Sequence, residues 1–202
     1  MLRYLNPHTC VWDGENADYT PESDDLPWSM EPEHKVTIED VKYVLSSYYQ
    51  GTPFNPYARH GEADKRGMYR PIGINRNCFM AITQVRPYMP EELMSVEWIS
   101  VGSNAFNEAI PFYTNVTTTP DYLANTGAVP TTENFYWANR MIGALADAHY
   151  ATCIAHVQRY QKNLAAKSHE ILAAFDAGCA REKDVHAYLE EGHPVSYTHL
   201  RA

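Results

Sequence analysis

Positive charge is scarce in this 202-residue chain: 16 Lys and Arg stand against 25 Asp and Glu, a formal charge of −9. That balance repels phosphate backbones and anionic lipid, and no basic stripe offsets it, so neither nucleic acid nor a membrane surface is an expected partner. No apolar run is long enough to span a bilayer. At the start, Asn6 and Pro7 interrupt the chain before any apolar stretch develops, unlike a secretory leader. Cysteine is sparse as well. Cys10, Cys78, Cys153 and Cys179 are widely spaced, with no C-x-x-C pair and no small-domain disulfide framework, which points to reduced thiols and a cytoplasmic address.

Several motifs are missing. Without G-x-G-x-x-G or a P-loop, a nucleotide cofactor has no support. Without G-x-S-x-G, a nucleophile elbow has none. His149, Cys153 and His156 recur at i, i+4 and i+7, a spacing able to gather three metal ligands on one helical face. There is no H-E-x-x-H and no fourth ligand at a telling distance, so the trio reads as ordinary helix packing. Neither a metal nor an organic cofactor is expected.

Hydrophobic residues make up 45% of the sequence and aromatic ones 12%, enough to build the core of one folded domain. Residues 6 to 34, punctuated by Pro and Asp, read as an ordered surface loop. A helix is expected over 37–50. Thr37 with Asp40 three residues on forms a capping box, Val36 is placed to staple onto Val41, and Val41, Val44, Leu45, Tyr48 and Tyr49 supply the apolar face. Residues 52 to 73 form a long irregular segment. Such segments either line a site or cover a sheet edge, and the residues alone leave both readings open.

Strands are expected at Cys78 to Arg86, Met94 to Gly102 and Ala109 to Val116, within residues 78–116. Met94, Val96 and Trp98 alternate with Ser95, Glu97 and Ile99, as a sheet with one more deeply buried face requires. Pro87 to Glu92 is a Pro-bounded turn, so the first two strands form an antiparallel hairpin. Arg86, just before that turn, reads as a solvent-facing cap on the strand end. From Phe135 to Phe175 apolar residues keep helical spacing, giving a long helical segment over 132–176, one helix or two joined by a slight bend. Gly143, which costs roughly 1 kcal/mol relative to Ala, is its only interruption. Asp176-Ala177-Gly178 stops it, and a short helix from Arg181 to Glu190 follows.

The runs LSSYYQGTPFNPY (45–57), RPIGINRN (70–77), QVRPYMPEE (84–92) and NFYWANRMIGALADAH (134–149) together resemble the cysteine dipeptidases of the N-terminal-nucleophile hydrolase superfamily, of dipeptidase A type. The resemblance covers residues 1 to about 176. It implies an α+β chain, part of a four-layer αββα fold in which antiparallel strands are followed by long helices. It also implies hydrolysis of dipeptides through a thioester acyl-enzyme, with no cofactor and with a homo-oligomeric intact enzyme. The family nucleophile is a cysteine at the mature amino terminus, its own α-amino group serving as base. Here Leu2 follows Met1, and Cys10 sits in a Pro-flanked loop, so no catalytic residue is assigned. Residues 1–193 are therefore expected to be the carboxyl-terminal part of a single dipeptidase domain. Residues 194–202, ending in SYTHLRA, match neither the preceding pattern nor the family and resemble translated sequencing adapter, a non-native tail.

Against that background Asn75 and Arg76 are the substrate-binding candidates. A dipeptidase must recognise a free carboxylate, and Arg supplies two parallel donors to one. The other reading of Asn75-Arg76-Asn77 is a surface turn before a strand, and Asn104 and Asn107 leave the same choice. A rival for the whole chain is a non-catalytic interaction or oligomerisation module. A third reading, a zinc hydrolase anchored on the long helix, would require activity that a chelator removes.

Overall fold

The structure, a computed structural model, describes residues 1–179 and 184–189. The expected tail at 194–202 lies outside the described residues, and of the helix expected over 181–190 only residues 184–189 are described, with 185–189 helical. The chain divides into two units, Met1–Val44 and Leu45–Ala202.

The first unit opens with a helical turn, α1 (Leu2–Leu5), followed by the Pro- and Asp-rich stretch. That stretch is ordered by its own polar groups. Val11 N–H donates to Asp18 Oδ2 at 2.7 Å, Asp18 N–H returns to Val11 O at 2.8 Å, and Trp12 Nε1 donates to the carbonyl of buried Asn6 at 2.7 Å. Side chain to backbone bonds of this kind replace the ladder a regular element would provide. Then comes α2 (Ile38–Leu45). Its entry is a reciprocal cap, with Thr37 N–H donating to Asp40 Oδ2 at 2.9 Å and Asp40 N–H donating to Thr37 Oγ1 at 3.2 Å. The Thr37 N–H, opposed by partial burial and aided by the Thr37 and Tyr4 hydroxyls, holds the Asp40 carboxyl below its ordinary range.

The helix expected over 37–50 stops at Leu45. Buried Asn104 donates from Nδ2 to the Leu45 carbonyl at 2.7 Å, occupying an acceptor that a continuing helix would use. Tyr49 then adopts φ 62°, a left-handed conformation that ends any helix.

In the second unit β1 (Phe79–Val85), β2 (Ser95–Val101) and β3 (Ile110–Tyr113) form an antiparallel sheet in that order. The hairpin register pairs Met80 with Ser100, Ile82 with Trp98 and Gln84 with Val96. All of these share one face, on which Val96, Trp98 and Ser100 are almost fully buried. The alternation predicts that face correctly. On the opposite face of β1, Phe79 and Val85 are 59% and 63% exposed.

Arg86 is not a solvent cap. It is buried, and its guanidinium reaches Asp176 near the end of the last long helix at 2.6 Å, while also donating to the Leu93 carbonyl. A strand-end arginine has the length to cross to a neighbouring layer, and the hairpin carbonyl satisfies a donor the carboxylate leaves over.

The helical segment is two helices, α3 (Phe135–Ala148) and α4 (Tyr150–Cys179). The break falls at His149, whose φ of −128° and ψ of 40° leave the helical region, and not at Gly143. Turning the chain there sends Tyr150 into an aromatic cluster. Its ring stacks on Tyr57 at 4.5 Å, and its hydroxyl lies 2.9 Å from that of Tyr48. His149 lies between the two helices, its carbonyl accepting from the Cys153 N–H at 3.0 Å, while Cys153 and His156 lie within α4. Among the described residues no group of three His, Cys, Asp or Glu is arranged to hold a metal ion.

Candidate functional site

Residues 102–109, between β2 and β3, are all buried although half of them are polar. Gly102 makes the turn at φ +78°, where an added Cβ would stand 3.2 Å from Asn107 Nδ2 and from the Asn139 carbonyl carbon. Asn107 is spent on structure, donating to the Ser103 and Asn139 carbonyls at 2.9 and 3.1 Å. Asn104 is likewise committed to Leu45. Ser103, 2% exposed, belongs to the same buried turn, and its Oγ, like Oδ1 of Asn104 and of Asn107, has no hydrogen-bond partner among the described residues.

Ser103 lines a cavity of about 190 Å³ together with Asn75, Arg76, Arg140, Gly143 and Asp147. Arg140, Gly143 and Asp147 sit at i, i+3 and i+7 of α3, on one face of the helix. Gly143 is buried, and a Cβ there would come 3.1 Å from Ser103 Cβ, so the glycine is what lets helix and buried connection approach. Neither Arg76 nor Arg140 forms an ion pair among the described residues. Arg140 Nη1 is 4.0 Å from the thiol of exposed Cys78.

A second cavity, about 320 Å³, is lined by Tyr48, Tyr57 and Tyr69, with exposed Arg70 also on its wall. Much of its lining comes from the irregular segment 52–73, which therefore lines a cavity. Two devices order that segment. Phe54 and Tyr69 meet edge to face at 4.8 Å, and the Gly73 N–H donates to the Ser47 carbonyl at 2.7 Å. At Gly73 an added Cβ would fall 2.1 Å from the Ser46 carbonyl oxygen, so the close approach requires glycine.

The two cavities share Asn75 and Asp147. Tyr57 Oη donates to Asp147 Oδ1 at 2.5 Å; burial first, and then this carboxylate, push the phenol well above its ordinary range, so it remains a donor. Thus the two residues singled out in the sequence, Asn75 and Arg76, stand together at one cavity, with Asn75 bridging to the other. Arg140, Asp147, Ser103 and Tyr57 escaped the sequence reading. One signal for two of them was available: Arg140 and Asp147 flank Gly143-Ala144 on a single helical face.

No helix among the described residues is long and apolar enough to cross a membrane. The four cysteines are free thiols: Cys78 exposed, Cys10 and Cys153 half-buried, Cys179 buried.

Comparison with known proteins gives a consistent result. The profile of peptidase family C69 matches residues 1–163. A dipeptidase of Bifidobacterium longum is 52% identical over 181 residues, covering 90% of this chain and 34% of that protein. A probable dipeptidase A of Streptococcus pyogenes serotype M18 is 45% identical over 177 residues, covering 88% and 36%. A probable dipeptidase B of Lactococcus lactis is 36% identical over 192 residues, covering 93% and 40%. The chain thus spans between about a third and two-fifths of the length of these relatives.

Proposed function

Because the chain belongs to peptidase family C69, we propose that it is a portion of a cysteine-type dipeptidase. The observation that carries this reading is 52% identity, over 90% of the chain, to a protein named a dipeptidase. In this reading dipeptides are cleaved through a thioester, and the attacking cysteine belongs to sequence outside these 202 residues. That the chain spans only 34% of this relative supports such a division. Cys10 lies in a loop of the first unit and is not the nucleophile. Asn75 and Arg76 hold substrate, and neither metal nor organic cofactor takes part.

The sheet is proposed as one half of a four-layer αββα stack, with residues 1–193 forming part of a single dipeptidase domain and the intact enzyme a cytoplasmic homo-oligomer. Exposed Phe79 and Val85 on one face of β1 support a further layer there.

Hydrolysis of unblocked dipeptides by the gene product containing this chain, with and without iodoacetamide, tests the reading. The expected result is turnover lost on alkylation of a cysteine other than Cys10, Cys78, Cys153 and Cys179. Absence of turnover would overturn the dipeptidase reading and favour an interaction module. Turnover lost on alkylation of Cys10 would overturn the placement of the nucleophile.

A further inference from the structure

We propose that the two adjoining cavities are one cleft that reads both charged ends of a dipeptide and selects an apolar first residue; the inference rests on the dipeptidase reading above. Arg76 and Arg140 take the free carboxylate. Asp147 takes the free ammonium, and the tyrosine-lined half takes the side chain beside it.

The spacing favours so short a peptide. Arg140 and Asp147 are seven residues apart on one face of α3, a rise of roughly 10 Å. An extended dipeptide is about 7 Å long, and the reach of the two side chains covers the difference. A pentapeptide, at about 17 Å, overruns the interval. Charge gives the direction. In a chain of formal charge −9, the smaller cavity gathers two arginines against one aspartate, and neither arginine is neutralised by an ion pair among the described residues. Such a patch draws in a carboxylate and holds it through paired charge-assisted hydrogen bonds.

Asp147 stands where the halves meet. Tyr57 fixes its Oδ1 through a 2.5 Å hydrogen bond and leaves Oδ2 as acceptor. Since Asp147 lines both cavities, the side chain of the amino-terminal residue is the one that enters among Tyr48, Tyr57 and Tyr69. Asn75, also common to both, lies opposite the peptide bond between the two ends.

The test is calorimetric titration of the gene product containing this chain, treated with iodoacetamide to stop turnover, with Phe-Ala, Phe-Ala amide, N-acetyl-Phe-Ala and Ala-Phe. Phe-Ala is expected to bind about tenfold or more tightly than either blocked form, the equivalent of one charge-assisted hydrogen bond at each end. It is also expected to bind more tightly than Ala-Phe. Arg76→Gln combined with Arg140→Gln should abolish discrimination against the amide alone, and Asp147→Asn discrimination against the acetylated form alone. Melting curves matching the unsubstituted protein confirm that both variants fold. Failure of the folded protein to bind Phe-Ala, or equal affinity for Phe-Ala and its amide, overturns the inference. Discrimination without hydrolysis by the gene product would sink the dipeptidase reading and leave this one standing. Hydrolysis at rates indifferent to end-blocking would do the reverse.

Discussion

Arg86 and Asp176, ninety residues apart in sequence, meet in a two-point ion pair: Nη1 to Oδ2 at 2.6 Å and Nη2 to Oδ1 at 3.0 Å. Tyr113 Oη donates to the same carboxylate at 2.7 Å, and the guanidinium carbon lies 5.8 Å from the Tyr113 ring centroid. One end of the sheet is thereby tied to the last turns of α4. Both side chains are largely removed from water, at 5% and 19% exposure, so the attraction is poorly screened and an unpaired partner is costly.

Asp176→Ala should therefore destabilise the chain by about 3–5 kcal/mol, read as a lowered urea midpoint, because it strands a buried guanidinium. Replacing the pair by Met at 86 and Leu at 176 should recover most of that loss. A loss under about 1 kcal/mol for the single substitution would show that water reaches the guanidinium and that the pair acts as an exposed one.

Gly73→Ala places a methyl group on the Ser46 carbonyl, 2.1 Å from its oxygen. Backbone must yield, and overpacking of this kind typically costs about 1–3 kcal/mol. The loop that carries Asn75 and Arg76 would shift with it. Dipeptide binding should weaken more than the melting temperature falls, and an unchanged affinity would mean that the loop does not position Asn75.

Glu33 accepts from the backbone N–H groups of His8 and Thr9 at 2.8 and 2.7 Å and from the Thr9 hydroxyl at 2.7 Å, with His8 Nδ1 at 2.9 Å. Thr9 foremost, then His8, lower its carboxyl from 4.5 to about 2. A depressed folded-state value means that the stabilisation is present above 4.5 and is lost as pH falls toward 2. Trp12 fluorescence should report loosening of the first unit across that window. Glu33→Gln should remove the transition; a transition of the same size in the variant would assign it to another carboxylate.

Phe79 and Val85 predict self-association of the chain when it is expressed alone, since one face of β1 leaves large apolar side chains in water. Sedimentation velocity should show mass rising with concentration, and Phe79→Lys with Val85→Lys should shift the chain toward monomer. At exposed positions each change should alter stability by no more than about 0.5 kcal/mol. A chain that is monomeric throughout, before any substitution, would remove the basis for a missing layer.

Legibility in the sequence followed the range of the forces. Thr37 and Asp40 are three residues apart, and their reciprocal cap could be read directly. So could the buried face of β2, because Val96 and Trp98 alternate with their neighbours. The end of α2 could not, since Asn104 takes the Leu45 carbonyl from 59 residues away. The position of the break at His149 could not be read either, for a related reason. Glycine marks a local weakness, but the chain turns where Tyr150 finds Tyr48 and Tyr57, a gain that no helix propensity records. At the site, Asn75 and Arg76 were visible as residue types suited to a carboxylate. Asp147 was not, because its significance comes from Tyr57, ninety residues earlier.

The pairing of Arg86 with Asp176 also sets an order in time. During synthesis the guanidinium leaves the ribosome ninety residues ahead of its carboxylate, a delay of about 5 to 20 s at ordinary elongation rates. The hairpin of β1 and β2 is local and closes early, yet its Arg86 end has no counter-charge until α4 is nearly finished. For that interval the cheapest state of this corner is a hydrated one, and water leaves it only when the end of the helix arrives.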